Sequence, residues 1–237
     1  MLRKILLACG IVAPLLYVAT TVIAGQLWEG YSPTSQSISE LFAVEAPTKS
    51  FVDPPLIMYS LLVYAFGVGI WLSSGGKRTL RVVAGAIIAK EALGLVIQLF
   101  FPMHLRGGEA TFSDAMHATL TGVGVLSMLV AMGFGAAALG KRFRLYSMGT
   151  FLVFLLMALL AFWDGGRMAQ GLPTPWMGVW ERITIYAYFV WTVVLAILLW
   201  RGQDTAPQAT FGRPSKLDGN PPATLPPRPI NRASASG

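Results

Sequence analysis

Charged side chains are scarce in this sequence, because only 12% of its 237 residues are aspartate, glutamate, lysine or arginine. Soluble globular domains carry roughly twice that fraction. Hydrophobic residues instead make up 54% of the chain, and the mean hydropathy is +0.60. This balance excludes a water-soluble domain as the main body of the protein and predicts a membrane protein.

Cysteine and histidine are also rare. The single cysteine, Cys9, lies in the first long apolar stretch, and a single cysteine excludes an intrachain disulfide. The two histidines, His104 and His117, have a spacing that matches no recognised haem-binding pattern. A metal site in this chain would therefore need carboxylate ligands as well as histidines.

Long apolar segments dominate the rest of the chain. A segment of about 18 or more nearly uncharged apolar residues is typical of a transmembrane helix. Six segments satisfy this criterion, at about 5–25, 55–73, 80–102, 115–139, 144–163 and 181–200. They predict an all-α fold, namely a polytopic membrane protein whose residues 1–201 form one bundle of six transmembrane helices.

The composition changes at about residue 202. The segment 202–237 contains 7 of the 15 prolines and has no periodic apolar residues. Such a composition cannot bury enough apolar surface to fold, so it predicts a disordered, proline-rich tail. On the cytoplasmic side this tail could contact a partner protein.

The net charge of +7 follows the two predicted sides of the membrane. Of the 18 basic residues, 13 lie on the side of the two termini, whereas 8 of the 11 acidic residues lie on the other side. An excess of lysine and arginine in short loops marks the cytoplasmic face. We therefore predict cytoplasmic N- and C-termini in a multi-pass protein of the inner or plasma membrane, with membrane lipid and no nucleic acid among its partners.

Two charged residues, Lys90 and Glu91, fall within the third predicted span. Lys90 is about 15 Å from the cytoplasmic end of that helix, near the middle of the bilayer. Burying a charge there costs at least about 2.5–3.5 kcal/mol, so such residues face the bundle interior and are candidates for a function. A purely structural, mutually neutralising pair is the alternative. The fourth span is rich in glycine and alanine, which predicts close helix packing.

A polar hairpin at 100–117 joins the third and fourth spans and holds both histidines. Asp114 and His117 are three residues apart, which places them on one face of a helix. Asp114 also suits a helix N-terminus, where a negative charge interacts well with the helix dipole. Two interpretations remain open, a capped helix with a satisfied histidine, and a metal or acid–base site.

Other polar residues lie at the same predicted extracytoplasmic ends of the helices. Ser37 and Glu40 have the spacing of a capping box, so Glu40 is either a cap partner or part of a polar pocket. Glu181 and Arg182 could pair with Asp164 and Arg167 or merely flank a helix. Because all these residues share one side, we expect a common polar site; its candidate ligand-binding residues are Tyr31, Ser37, Ser39, Glu40, Asp164, Arg167, Glu181 and Arg182.

Four short motifs occur in order along the chain. They are Tyr31-Ser-Pro-Thr-Ser-Gln-Ser-Ile-Ser-Glu-Leu41, Phe101-Pro102, the histidine that opens the fourth span (His117), and Trp180-Glu-Arg-Ile183. Over about 5–200, this set resembles the bacterial six-span membrane family known as domain of unknown function 998. The resemblance implies a six-helix bundle and brings no established activity.

Two functions fit a polar rim above an apolar bundle. The first is binding or moving a lipid or small amphiphile, whose head would occupy the rim. The alternative is an intramembrane zinc-dependent hydrolase of lipid amides or esters. In that enzyme His104, Asp114 and His117 would hold zinc, and Glu40 or Asp114 would act as the catalytic carboxylate. A purely structural role is the third possibility.

Overall fold

The computed structural model describes residues 1–204, and their regular structure consists of helices. The six long helices are α1 (Leu2–Leu27), α2 (Lys49–Ser73), α3 (Arg78–Phe100), α4 (Phe112–Ala138), α5 (Lys141–Ala169) and α6 (Met177–Asp204). A short 3-10 helix, Ser39–Phe42, lies between α1 and α2. All six long helices are long and apolar enough to cross a membrane, which confirms the all-α, six-span prediction.

The helices extend beyond the predicted spans at several ends. The largest differences are at α2, which begins at Lys49 instead of 55, and at α5, which continues to Ala169 instead of 163. A hydropathy window detects only the part of a helix that matches the hydrocarbon layer. Residues 205–237, which make up most of the predicted tail, lie outside the described residues.

The start of α2 differs from the prediction for a specific reason. Pro54 and Pro55 lie inside the helix and do not begin it. The preceding turn is held by an ion pair between Lys49 Nζ and Asp53 Oδ2 at 3.0 Å, and by the hydroxyl of Thr48, which donates to the Leu41 carbonyl at 2.6 Å. These contacts keep the chain helical before the two prolines, so the first loop is shorter than predicted.

The six helices form a closed ring of neighbours. Each helix packs against the next one in the chain, and α6 packs against α1. Short connections join α2 to α3 and α4 to α5 at one end of the bundle. We call the other end, where α1, α3 and α5 finish, the polar end; it carries the connections 28–48, 101–111 and 170–176.

Aromatic side chains fill the interior between the ends. Trp191 on α6 is fully buried, and its indole N–H donates to the Ser147 hydroxyl on α5 at 2.9 Å. The Trp191 ring lies directly against Gly135 on α4, where no Cβ would fit. Close packing at this glycine agrees with the prediction made from the small residues of α4.

The outward faces of the helices are apolar. On α5, for example, Leu152, Leu156, Leu159 and Trp163 are all more than half exposed. These positions recur every three or four residues and form one continuous stripe along the helix. Such a surface suits contact with lipid chains, as expected for a multi-pass membrane protein.

Candidate functional site

The three connections at the polar end are joined to one another by hydrogen bonds. The Val44 amide donates to the Met103 carbonyl at 2.9 Å, and the Leu105 amide donates to the Glu45 carboxylate at 3.0 Å. The start of α6 reaches the first connection through the Val179 amide, which donates to a backbone carbonyl there at 3.3 Å. Residues far apart in sequence are therefore brought to one site.

An ion pair between Arg106 and Glu40 is at the centre of this end. The Glu40 side chain is fully buried, with 0% exposure, and it accepts from Arg106 Nε at 2.7 Å and from Arg106 Nη2 at 2.6 Å. Arg106 also donates to the Ser35 carbonyl and to the Thr174 hydroxyl, both at 3.0 Å. This one guanidinium therefore links all three connections, and its two bonds to Glu40 have the strong bidentate geometry.

Ser37 and Glu40 also form the reciprocal bonds of a capping box. The Ser37 amide donates to Glu40 Oε2 at 2.7 Å, and the Glu40 amide donates to the Ser37 hydroxyl at 3.3 Å. The Glu40 carboxylate is therefore a cap partner that also belongs to a buried polar cluster. Its partner Arg106 was not among the candidate site residues, although it stands in the hairpin next to His104.

Arg182 donates hydrogen bonds to residues 31–36, in the first half of the connection 28–48. Its Nη2 donates to the Tyr31 hydroxyl at 2.7 Å, and its Nη1 donates to the carbonyls of Pro33 at 2.8 Å and Gln36 at 3.2 Å. Tyr31 in turn donates to the Ser37 carbonyl at 2.8 Å. Burial raises the pKa of Tyr31 to about 12, so its phenol stays neutral and keeps that donor.

Glu181, next to Arg182, also contacts the first connection. Its Oε2 accepts from the Ile38 amide at 2.6 Å. Asp164 and Arg167 instead form a loose pair, at 3.9 Å, and Arg167 donates to the Pro173 carbonyl at 3.2 Å. Of the two alternatives, pairing with Asp164 and Arg167 or merely flanking a helix, the hydrogen bonds of Glu181 and Arg182 match neither, because both side chains contact the first connection.

His104 and Asp114 form the second polar cluster. Asp114 accepts from the His104 amide at 2.7 Å, and His104 Nδ1 lies 3.2 Å from Asp114 Oδ2. Thr111 caps α4, because its hydroxyl accepts from the Asp114 amide while Asp114 accepts from the Thr111 amide. Asp114 therefore acts as the predicted N-terminal carboxylate, and it also holds the hairpin against α4.

His117 faces a different partner. Its side chain is buried, with 8% of the residue exposed, and its Nδ1 lies 3.0 Å from the Phe101 carbonyl. Since a carbonyl only accepts, Nδ1 is the donor in this hydrogen bond. Within residues 1–204, no three His, Cys, Asp or Glu side chains cluster as metal ligands would. The structure thus brings together His104 and Asp114 but not the complete predicted zinc set.

A cavity of about 610 Å³ opens beside these clusters and runs down between α3, α4, α5 and α6. Its polar-end lining includes Ser37, Ser39, His104, Arg106, Glu109, Asp114 and Glu181. Further down, the wall is formed by small and apolar side chains, among them Gly94, Ala118, Val125, Met128, Ala158 and Ile185. Along α4 the lining extends from Asp114 to Met128, a distance of about 21 Å.

Small residues on two helices contribute to the cavity wall. Gly124 on α4 and Gly165 on α5 line it, and a Cβ added at either position would meet no atom within 4 Å. The prediction that the small residues of α4 serve close packing is therefore wrong for Gly124, which faces open space. Three of the candidate ligand-binding residues line the cavity, namely Ser37, Ser39 and Glu181. The other five lie at the polar end but are not part of the lining; they are Tyr31, Glu40, Asp164, Arg167 and Arg182.

The intramembrane pair, Lys90 and Glu91, lies at the deep part of this site. Lys90 lines the cavity, and its Nζ donates to Glu91 Oε2 at 2.9 Å. Glu91 is buried and turned toward α2, where its other oxygen accepts from the Ser60 hydroxyl at 2.5 Å. The expectation that both residues face the bundle interior is therefore met, and the two side chains pair directly.

Comparisons with known proteins give one match. No curated protein and no solved structure matches the chain. A family model described as "Protein of unknown function (DUF998)" matches residues 11–198, which include α2 to α5, most of α1 and α6, and the three connections of the polar end. The chain therefore belongs to the DUF998 family.

Proposed function

We propose that the protein binds or moves a single-chain lipid or other small amphiphile in the cavity between α3, α4, α5 and α6. The observation that supports this most is the division of the cavity, which is polar at its mouth and apolar along its wall. An amphiphile has the same division, with a head that needs hydrogen bonds and a chain that avoids water.

The size of the cavity favours a small occupant. Its volume of about 610 Å³ lies in the range of roughly 300–1,000 Å³ that is usual for sites of drug-sized ligands. One acyl chain or a compact amphiphile suits this volume better than a phospholipid with two chains. The length of about 21 Å along α4 likewise suits one extended chain.

Polar groups at the mouth would hold the head. Ser39, His104, Glu109 and Glu181 line this part of the cavity. Arg106 lines it too, although its charge is already balanced by Glu40. We also propose that this end faces the extracytoplasmic side, as the distribution of basic residues predicts.

The test is to fill the cavity without disturbing the fold. Gly124→Leu places a side chain in open space on the cavity wall, and Gly133→Leu is the matched control, since Gly133 is exposed on the same helix and its Cβ also meets nothing within 4 Å. Binding of radiolabelled monooleoylglycerol is measured on each protein in lipid nanodiscs.

We expect saturable binding to the wild type and to Gly133→Leu, and binding at least about tenfold weaker to Gly124→Leu, since the leucine occupies the place of the chain. Equal binding to all three proteins would show that the probe does not use this cavity, and the proposal would be wrong.

The zinc hydrolase remains the alternative prediction, but its residues do not form one cluster. The Glu40 carboxylate is held by Arg106, and within residues 1–204 no three His, Cys, Asp or Glu side chains come together as metal ligands would. Of the three predicted ligands, only His104 and Asp114 contact each other. Zinc analysis of protein purified without chelator tests this alternative; one equivalent per chain that is lost in His104→Ala would favour it over the binding proposal.

A further inference from the structure

Lys90 is the one basic residue on the deep wall of the cavity in the described part of the chain. It shares its face of α3 with Leu93, Gly94 and Ile97, which also line the cavity. Its side chain is 15% exposed, and the residue is part of the cavity lining. An ammonium group beside an apolar wall at this depth is costly unless each of its N–H groups has an acceptor.

The contacts of Lys90 leave one donor for a ligand. An ammonium has three N–H donors. Within residues 1–204, one is used by the Tyr59 hydroxyl at 2.9 Å and one by Glu91 Oε2 at 2.9 Å. The Tyr59 ring also lies beneath the ammonium, with its centroid 5.1 Å away. These contacts hold Nζ in place, and they leave a third N–H that has no hydrogen-bond partner within residues 1–204, in a residue that lines the cavity.

We propose that the natural occupant of the cavity carries an uncharged carbonyl group, whose oxygen accepts the third hydrogen bond of Lys90 Nζ. This inference rests on the proposed function, because it specifies the chemistry of the amphiphile bound there. A hydrogen bond to a charged donor in a water-poor site is stronger than one between neutral groups.

Charge balance favours a carbonyl over a carboxylate. Glu91 already neutralises Lys90, so a second carboxylate at Nζ would stand beside the first and be repelled by it. A hydroxyl could also accept from Nζ, but it would bring a donor that needs its own acceptor next to Leu93 and Gly94. A carbonyl oxygen can only accept hydrogen bonds, so it matches the third N–H donor of Lys90 Nζ and adds no donor of its own.

The experiment compares two probes that differ at one carbon, which is a carbonyl in the first and a methylene in the second. Undecyl methyl ketone and tridecane have chains of equal length, and each is titrated against radiolabelled monooleoylglycerol bound to the protein in nanodiscs. Empty nanodiscs give the correction for partition into the lipid. We expect the ketone to displace the label about tenfold better than the alkane on the wild type.

The variant removes the donor without leaving a buried charge. In Lys90→Met/Glu91→Gln the ammonium and its partner are both neutralised, while the amide at position 91 keeps an acceptor for Ser60. We expect the preference for the ketone to fall to about onefold in this variant. A preference that persists there would overturn the assignment to Lys90.

Two further results separate this inference from the proposed function. If ketone and alkane compete equally on the wild type while monooleoylglycerol still binds, the Lys90 inference is wrong and the binding proposal stands. If monooleoylglycerol does not bind saturably, both fail. Infrared spectra of carbonyl-labelled ketone bound to the wild type give a test that needs no variant. We expect the carbonyl stretch at a lower frequency than in lipid. An unshifted stretch would contradict the inference.

Discussion

Replacing Arg106 by methionine should loosen the whole polar end, because this side chain links all three connections. The substitution removes both hydrogen bonds to Glu40 and those to Ser35 and Thr174. Glu40 would remain fully buried, with the Ser37 amide as its closest donor at 2.7 Å. The main cost is therefore an uncompensated buried carboxylate.

The size of this effect follows from the burial of the two partners. Removing one member of a buried ion pair costs about 3–5 kcal/mol. Arg106 is 31% exposed, so its charge is partly hydrated and we expect a value near the lower limit, about 3 kcal/mol. For a chain of this length, that corresponds to a fall in melting temperature of roughly 6–12 °C.

The assay is thermal unfolding of the purified protein, followed by tryptophan fluorescence. Arg142→Met is the matched control, since Arg142 is exposed at the other end of the bundle and its loss should cost no more than about 0.5 kcal/mol. Arg106→Met/Glu40→Gln should recover most of the lost stability, because no charge remains buried. A fall no larger than that of the control, or a double variant as unstable as Arg106→Met, would refute the reasoning.

Two further predictions concern α4. Gly135→Val should destabilise the protein by about 1–3 kcal/mol or more, because the Trp191 ring occupies the space that the valine side chain needs. Gly133→Val should not, since a Cβ there meets no atom within 4 Å, and thermal unfolding of both variants tests this. Thr111→Ala should cost about 1 kcal/mol through loss of the cap, and Thr111→Ser should retain it. Amide hydrogen exchange at the start of α4 should then be faster in Thr111→Ala than in the wild type and Thr111→Ser. Equal exchange rates in all three proteins would contradict the capping role of Thr111.

Much of the fold could be predicted from the sequence, because a transmembrane helix depends mainly on a long local run of apolar residues. The ends of the helices could not be predicted as well. Pro54 and Pro55 are usual signals for a helix start, but the turn before them is held by the contact of Thr48 with Leu41 and by the Lys49–Asp53 pair. Thr48 and Leu41 are seven residues apart, and this separation follows no helical or strand periodicity in the sequence.

The candidate site was predictable in its position but not in its partners. The sequence places Glu40, His104, Asp114 and Glu181 at one end of the bundle, and all four are found there. The partner of Glu40 is 66 residues away, so no local spacing indicates Arg106. Arg182 binds backbone carbonyls of the first connection, and the positions of such groups depend on loop conformation instead of side-chain identity.

The cavity itself could not be predicted from residue types. Gly124 and Gly135 lie on the same small-residue helix, yet Gly135 is covered by Trp191 whereas Gly124 faces open space. Residue type alone therefore does not indicate which glycine is covered by a neighbouring side chain and which lines a cavity. The α5 part of the lining includes the small residues Ala158, Ala161 and Gly165.

The most direct test of a cavity that binds an amphiphile is a high-resolution map of the protein in lipid nanodiscs. We predict one elongated density between α3, α4, α5 and α6, extending from the mouth at Glu181 to within hydrogen-bond distance of Lys90 Nζ. A map in which α4 and α5 close together, with side chains filling the space between Asp114 and Lys90, would contradict the account.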